Sequence, residues 1–195
     1  DFTPIALVTA DPILLLVPAA SPWKTLADLL ADAKARPGKI SYSSAGVYGT
    51  SHTGFEMFSQ AAGIQLLHIP YQGGGPAMLA LLSGDVNITA QTAAIGLPHV
   101  KAGKVRVLAS WGGTRLPTLA DIPTMRELGV NTEFYSWFGL FAPARLPREV
   151  ATTLIERREI GALFVSWVPR GSDLDVWLCG TGLPVVIVGE PPDES

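Results

Sequence analysis

The chain has 195 residues, 48% of them hydrophobic, with 14 basic and 17 acidic side chains and a formal net charge of −3. That is enough apolar material for a substantial core and excludes a disordered chain, while the balanced charge, without long runs of either sign, argues against a nucleic-acid partner. The single cysteine, Cys179, excludes an internal disulfide and a multi-cysteine metal site, and His52, His68 and His99 lack the spacing of a metal motif, so neither metal nor cofactor is expected.

No stretch reaches the roughly 18–20 continuous apolar residues of a membrane helix, the longest candidate being 13–20, so direct membrane insertion is not expected. The chain opens on Asp1-Phe2-Thr3-Pro4 without a visible signal peptide. Residues 5–9 and 13–17 read as two short buried strands separated by Asp11-Pro12. Ser21-Pro22 reads as the start of a helix whose Leu26, Leu29, Leu30 and Ala33 share one face, and Pro37-Gly38 ends it. Residues 39–43 form the next strand, and a glycine-rich turn over about 44–51 leads to a helix capped by Thr50 or Ser51, carrying Phe55, Phe58 and Ala62 inward and stopping at Gly63.

A strand at 65–69 then runs into a second glycine-rich turn, Tyr71-Gln72-Gly73-Gly74-Gly75-Pro76, and a helix that Gly84 closes after Ser83. Strand 86–90, a short helix over 93–102 and strand 105–110 follow. Strands and helices alternating at this length predict an α/β fold with a mostly parallel sheet covered by helices on both faces. Ligands of such sheets bind beyond the carboxyl ends of the strands, where both glycine-rich turns would lie. Past residue 111 the pattern loosens into a loop, a helical turn at Met125 to Leu128 and an aromatic strand at 134–144. A helix from 148, a strand at 184–188 and a frayed acidic end complete the reading.

Five stretches in order, 41–58, HIPYQGGGPAMLALLSGDVN, LPHVKAGKVRVLA, LPTLADIPTMRELG and WFGLFAPARLP, resemble the Bug family, the solute-binding receptors of tripartite tricarboxylate transporters. The resemblance covers about 1–154. It implies a periplasmic, non-enzymatic receptor whose two domains close on a small organic anion, such as a di- or tricarboxylate or an amino acid, and deliver it to membrane transporter subunits. On this resemblance residues 1–9 are a crossover from a first domain, 10–133 a ligand-binding α/β domain, 134–154 the return crossover and the start of first-domain sequence, and 155–195 a divergent tail. The family's upstream ligand loop has no counterpart here, so half of the cleft is expected to lie outside this sequence, and weak or no binding by the chain as given follows.

The expected ligand residues are Ser43, Ser44, Ala45 and Gly46 leaving one strand, Gly49, Thr50, Ser51 and His52 entering its helix, Tyr71 and Gly73 at the second turn, and Gln91 and Thr92 after the next strand. Helix starts offer unpaired N–H groups and a positive dipole end, and neutral donors hold a carboxylate reversibly. Each turn also has a plain reading as capping and turn punctuation. Two other functions compete: a hydrolase using Ser51 and His52, which lacks a G-x-S-x-G elbow, and an effector-sensing regulatory domain, which lacks a helix-turn-helix. His68 reads as a satisfied core or edge histidine, and Arg106, Arg115 and Arg126 as solvated surface. The aromatic residues Phe134, Tyr135, Trp137, Phe138 and Phe141 read as packing against the missing domain, with Trp137 and Phe141 open to self-association if left exposed.

Overall fold

The computed structural model describes residues 2–143, 163–165 and 185–187. The chain divides into two compact units, one formed by Asp11–Ser136 and the other by the chain before and after it. In the order of the chain the first unit's elements are the end of β1 (Phe2–Pro18), α1 (Leu26–Ala35), β2 (Ser41–Ser44), α2 (Thr50–Ala62), β3 (Leu67–Pro70), α3 (Gly74–Ser83), β4 (Ile88–Thr92), α4 (Ala93–Lys101) and β5 (Val105–Ser110). The remaining strands are β6 (Tyr135–Pro143), which pairs with β1, and β7 (Leu163–Val165) and β8 (Val185–Ile187), which pair in parallel. The strand expected at 184–188 is β8, whereas the helix expected from 148 lies outside the described residues.

The sheet order is β3-β2-β4-β1-β5. β2 runs parallel to β3 and β4, while β1 lies antiparallel to β4 and to β5, so β2, β3, β4 and β5 all point one way and only β1 is reversed. The mostly parallel sheet is therefore observed, with one inverted strand in its centre. That strand carries the run Ile13-Leu14-Leu15-Leu16-Val17, and Leu14 through Val17 are each 0% exposed, which requires cover on both faces. Ile13, Leu15 and Val17 pack with Leu26 and Leu29 of α1 and Phe55 and Phe58 of α2; Leu14 and Leu16 pack with Met78 and Leu81 of α3.

Three local expectations are corrected. The strands expected at 5–9 and 13–17 are one strand, because pairing with β4 starts at Ile13 and Pro12 stands just ahead of that ladder, where its missing N–H costs no bond. The first helix begins at Thr25, not Ser21: the Thr25 Oγ1 accepts the Asp28 N–H at 3.2 Å while the Asp28 carboxylate accepts the Thr25 N–H at 2.9 Å, and this reciprocal box outcompetes a lone serine cap. The N-cap of α2 is Gly49, not Thr50 or Ser51, because the Ser51 Oγ turns back to accept the Ala45 N–H. The helical turn expected at Met125 to Leu128 is observed, closed by the Leu128 N–H on the Thr124 carbonyl.

The arginines also differ from a uniformly solvated surface. Arg106 donates to the Trp23 and Ala19 carbonyls, each at 3.1 Å, because those residues follow β1 beside β5 and leave carbonyls unpaired at the strand end. Arg115 pairs with Glu127 at 3.0 Å and Arg126 with Glu133 at 2.8 Å, both on the surface. Trp137, Phe138 and Phe141 stand exposed.

Thr25→Ala removes one half of the α1 capping box. It is expected to lower the unfolding free energy by about 1 kcal/mol, read by urea denaturation, and to leave any ligand response unchanged.

Candidate functional site

Because β2, β3 and β4 run the same way, the segments that leave them meet at one edge of the sheet, and each segment opens a helix. None of these three helices has a side-chain cap: Gly49, Gly73 and Thr92 hold the N-cap positions of α2, α3 and α4 without a side-chain hydrogen bond. Their first-turn N–H groups, including those of Thr50, Ser51, Gly74, Gly75 and Ala93, have no acceptor among the described residues. α1 follows the carboxyl end of the reversed β1, at the opposite edge, and it alone carries a capping box. The turns at 45–52, 71–76 and 92–96 contain no Lys or Arg. These turns thus bring three positive helix ends and free backbone donors to one edge without a cationic side chain of their own.

The first turn is held by its own side chains. Ser51 Oγ accepts the Ala45 N–H at 2.9 Å, and Ser44 Oγ accepts the Gly46 N–H at 3.3 Å. His52 Nδ1 accepts the Tyr48 N–H at 2.9 Å, which fixes the neutral ring with its proton on Nε2. The Thr50 side chain is exposed beside the free N–H groups. Ser51 and His52 therefore do not bond each other, and the pairing a hydrolase needs is not formed by them. A serine does meet a histidine nearby, Ser44 Oγ and His68 Nε2 at 2.6 Å, but Ser44 is wholly buried and His68 serves as the satisfied edge histidine of the sequence reading.

Beneath this turn the rings form a stack. His52 lies on His68 with centroids 4.1 Å apart and planes 10° from parallel, and His68 lies on Tyr42 at 4.9 Å and 20°. The Tyr42 hydroxyl donates to Glu56 Oε1 at 2.8 Å, and burial, reinforced by that carboxylate, pushes the phenol well above its ordinary range. His68 is shifted the other way: burial first, and then the neighbouring His52, hold its imidazole below the ordinary 6.5, with Glu56 opposing.

On the other face of the sheet the second turn rests on a buried polar network. Ser43 Oγ lies 2.9 Å from the Ala77 carbonyl and 2.8 Å from Thr89 Oγ1, and Gln91 Nε2 donates to the Gly74 carbonyl and to Thr89 Oγ1, each at 3.2 Å. Ser43 and Gln91 are thus internal ties between the sheet and the start of α3. Gly74 leaves room there: a Cβ would stand 2.9 Å from Ile95 Cδ1 and 3.0 Å from Gln91 Oε1, and those side-chain ends would have to shift. Gly73 takes φ +105°, open to glycine, and its N–H donates to the Ala45 carbonyl, linking the two turns; the Tyr71 N–H bonds the Ser44 carbonyl in the same way. Tyr71 is half-buried, and Thr92 ends β4 as the N-cap of α4.

Among the expected residues, then, Ala45, Gly46, Gly49, Thr50, Ser51, His52, Tyr71, Gly73 and Thr92 lie along one sheet edge, while Ser43, Ser44 and Gln91 are buried just under it. Sequence reasoning passed over Thr89, whose two-residue offset from Gln91 is the period of a strand face, and Tyr48. Tyr48 has φ +61° and an 87% exposed side chain, and nothing in a sequence marks a tyrosine as left-handed except its place between Gly46 and Gly49.

The family described as the tripartite tricarboxylate transporter family receptor matches residues 1–159. A Cupriavidus necator protein described as "UPF0065 protein in gbd 5'region" is 44% identical over 129 residues, 66% of this chain and 39% of that protein. Of solved structures, an R. palustris protein with adipate is 32% identical with a TM-score of 0.75, covering 94% of this chain and 60% of that one. MatC from Rhodopseudomonas palustris with bound malate is 28% identical with a TM-score of 0.72, covering 80% of this chain and 54% of that one. The chain spans between 39% and 47% of the length of the first curated relatives it matches.

Two measurements check the internal ties. Ser43→Ala leaves the Ala77 carbonyl and Thr89 short of a partner, and its unfolding free energy is expected to fall by about 1–3 kcal/mol. For His68 the folded state favours the neutral ring, so its contribution is complete above 6.5 and is lost as pH falls through the lowered folded value. Stability measured by denaturation should decline on acidification between 6.5 and that lowered value and level off below it, and His68→Asn should flatten the decline.

Proposed function

We propose a function that proceeds from one fact: the chain belongs to the tripartite tricarboxylate transporter family of receptors. On this reading the sheet edge after β2, β3 and β4 is one wall of a site for a small organic acid, and the chain is part of a periplasmic receptor that captures the acid for membrane transporter subunits. The observation that carries it is the convergence of three helix starts without side-chain caps at one edge, in turns free of Lys and Arg, against a capped α1 at the other. A carboxylate placed there accepts the N–H groups of Thr50 and Ser51, and the Thr50 hydroxyl adds a neutral donor. Gly74 and Gly75 offer further N–H groups, and Tyr71 lines the wall.

Neutral donors suit a receptor that must also release its cargo. With no fixed cation to neutralise, the empty wall has no buried charge, and a bound carboxylate meets only dipoles. The adipate and malate held by two similar proteins are both dicarboxylates, which supports the same class here. A single wall buries too little of a small molecule for tight capture. We therefore place a second, closing wall in the whole receptor, with hinge motion between the two. The hydrolase alternative loses support because the His52 acceptor nitrogen is occupied by the Tyr48 N–H instead of a serine hydroxyl.

The test is calorimetry of the receptor with malate, adipate and the uncharged diamide of adipic acid, in the wild type and in Thr50→Pro. Position 50 is the first residue of α2 and Gly49 is already extended at ψ 171°, so proline fits and deletes one N–H donor. The acids are expected to bind and the diamide not to. Thr50→Pro should weaken the acids roughly ten- to a hundredfold without lowering the melting temperature. Diamide binding equal to that of the acids, or unchanged affinity in Thr50→Pro, contradicts the reading.

A further inference from the structure

The first turn contains a contact that capping does not explain. Tyr48 holds φ +61°, a region that costs a non-glycine residue about 1 kcal/mol or more, and it is the one non-glycine residue with positive φ among the described residues. Its ring is 87% exposed, so core packing does not hold it in place. The Gly49 N–H on the Gly46 carbonyl closes the turn around it at 3.2 Å, and the one side-chain tie on Tyr48 itself is its N–H on His52 Nδ1, at 2.9 Å, with the two rings tilted against each other at 5.7 Å. We propose that His52 is a positioning residue that works as a proton-operated latch: the neutral ring fixes the 45–49 turn, and protonation releases it. The consequence for ligand rests on the reading of this turn as part of the carboxylate wall.

The chemistry follows from the donor inventory. A backbone N–H only donates, so Nδ1 must present a lone pair, and the neutral ring carries its proton on Nε2. Uptake of a proton fills Nδ1. Two N–H groups then face each other where one bond had been, and Tyr48 loses its side-chain tie, leaving the Gly49 N–H on the Gly46 carbonyl to close the turn alone around it. The groups facing His52 bear on this balance in opposite ways. Glu56, on the same helix, has Oε1 3.8 Å from His52 Nε2 and favours the charged ring. His68 of β3, stacked at 4.1 Å, is held below its ordinary range by burial first and then by the neighbouring His52, with Glu56 opposing. Tyr42 of β2, at 6.5 Å, has its phenol pushed up by burial and by Glu56, and donates to the same Glu56 oxygen. The start of α2, directly beside the ring, also disfavours a cation.

This makes His52 a link between proton concentration and the shape of the wall. The turn that carries the Thr50 and Ser51 N–H groups is ordered at neutral pH and loosened in acid, so an acid ligand is held more weakly as the medium acidifies. Histidine is the side chain suited to this, since its charge changes within about pH 5–8.

The test is solution NMR of the uniformly 15N-labelled chain between pH about 8 and about 5. The expected results are a neutral His52 ring protonated on Nε2 and a Tyr48 amide whose protection, corrected for intrinsic exchange, falls roughly tenfold with the midpoint of the His52 titration. His52→Phe, which keeps the ring and removes the acceptor, should leave that amide unprotected at both extremes. A Tyr48 amide indifferent to the titration of His52, or a neutral ring protonated on Nδ1, overturns the latch. This arm needs only the wild-type chain, so it stands if the variant does not fold.

A second arm measures malate and adipate binding by the receptor at the two pH values. Affinity should fall roughly three- to tenfold in acid for the wild type beyond the change seen in His52→Phe, which corrects for titration of the ligands themselves. Equal pH dependence in both proteins overturns the link to ligand. Absence of binding to either acid at any pH contradicts the wall reading instead, and with it that link, while the amide measurement decides the latch independently.

Discussion

The common direction of β2, β3 and β4 is the constraint on which the site depends. Parallel strands must each be followed by a crossover, and the crossover helices then begin at the same sheet edge. The reversed β1 completes the arrangement by filling the centre of the sheet with a run of Leu and Val buried on both faces. That run requires helices on each side, which fixes α1 and α2 on one face and α3 on the other. Three free helix starts at one edge are thus a consequence of topology, and the sequence needs only to leave them without side-chain caps and cations.

Each face of the sheet then stabilises its turn by different means. Under α2 the support is aromatic and titratable: Tyr42, His68 and His52 stack upward toward Tyr48, with Ser44 bonded to His68 and Glu56 bonded to Tyr42. Under α3 the support is a neutral network in which Ser43, Thr89 and Gln91 reach the Ala77 and Gly74 carbonyls. A buried network of this kind is favourable only when its members are satisfied, and it then fixes one geometry. The network under the second turn thus contains no titratable group, while the first turn rests on two imidazoles.

Much of this was legible in the sequence because it depends on local patterns. The stops at Gly63 and Gly84, the strand 105–110 and the helix ending at Ser83 follow from glycine placement and periodicity, and the two glycine-rich turns were visible as helix openings. What was hidden depends on partners distant in the chain or on a choice between equal local signals. Ser43 and Ser44 are adjacent serines, and only the register of β2 sends one into the α3 network and the other to His68, 24 residues away. Ser21-Pro22 and Thr25 with Asp28 both announce a helix start, and the reciprocal bond decides for the second. Arg106 looked solvated because its acceptors, the carbonyls of Ala19 and Trp23, lie 87 and 83 residues earlier.

The central claim is that a carboxylate docks on backbone N–H groups at one edge of this sheet. Its most direct test is chemical-shift mapping of the 15N-labelled protein during titration with malate. The account requires the amides of Thr50, Ser51, Gly74, Gly75 and Ala93 to shift together along one binding curve, while those at the capped start of α1, Leu26 to Asp28, remain still. Shifts centred on α1 or spread without preference over the surface would contradict it.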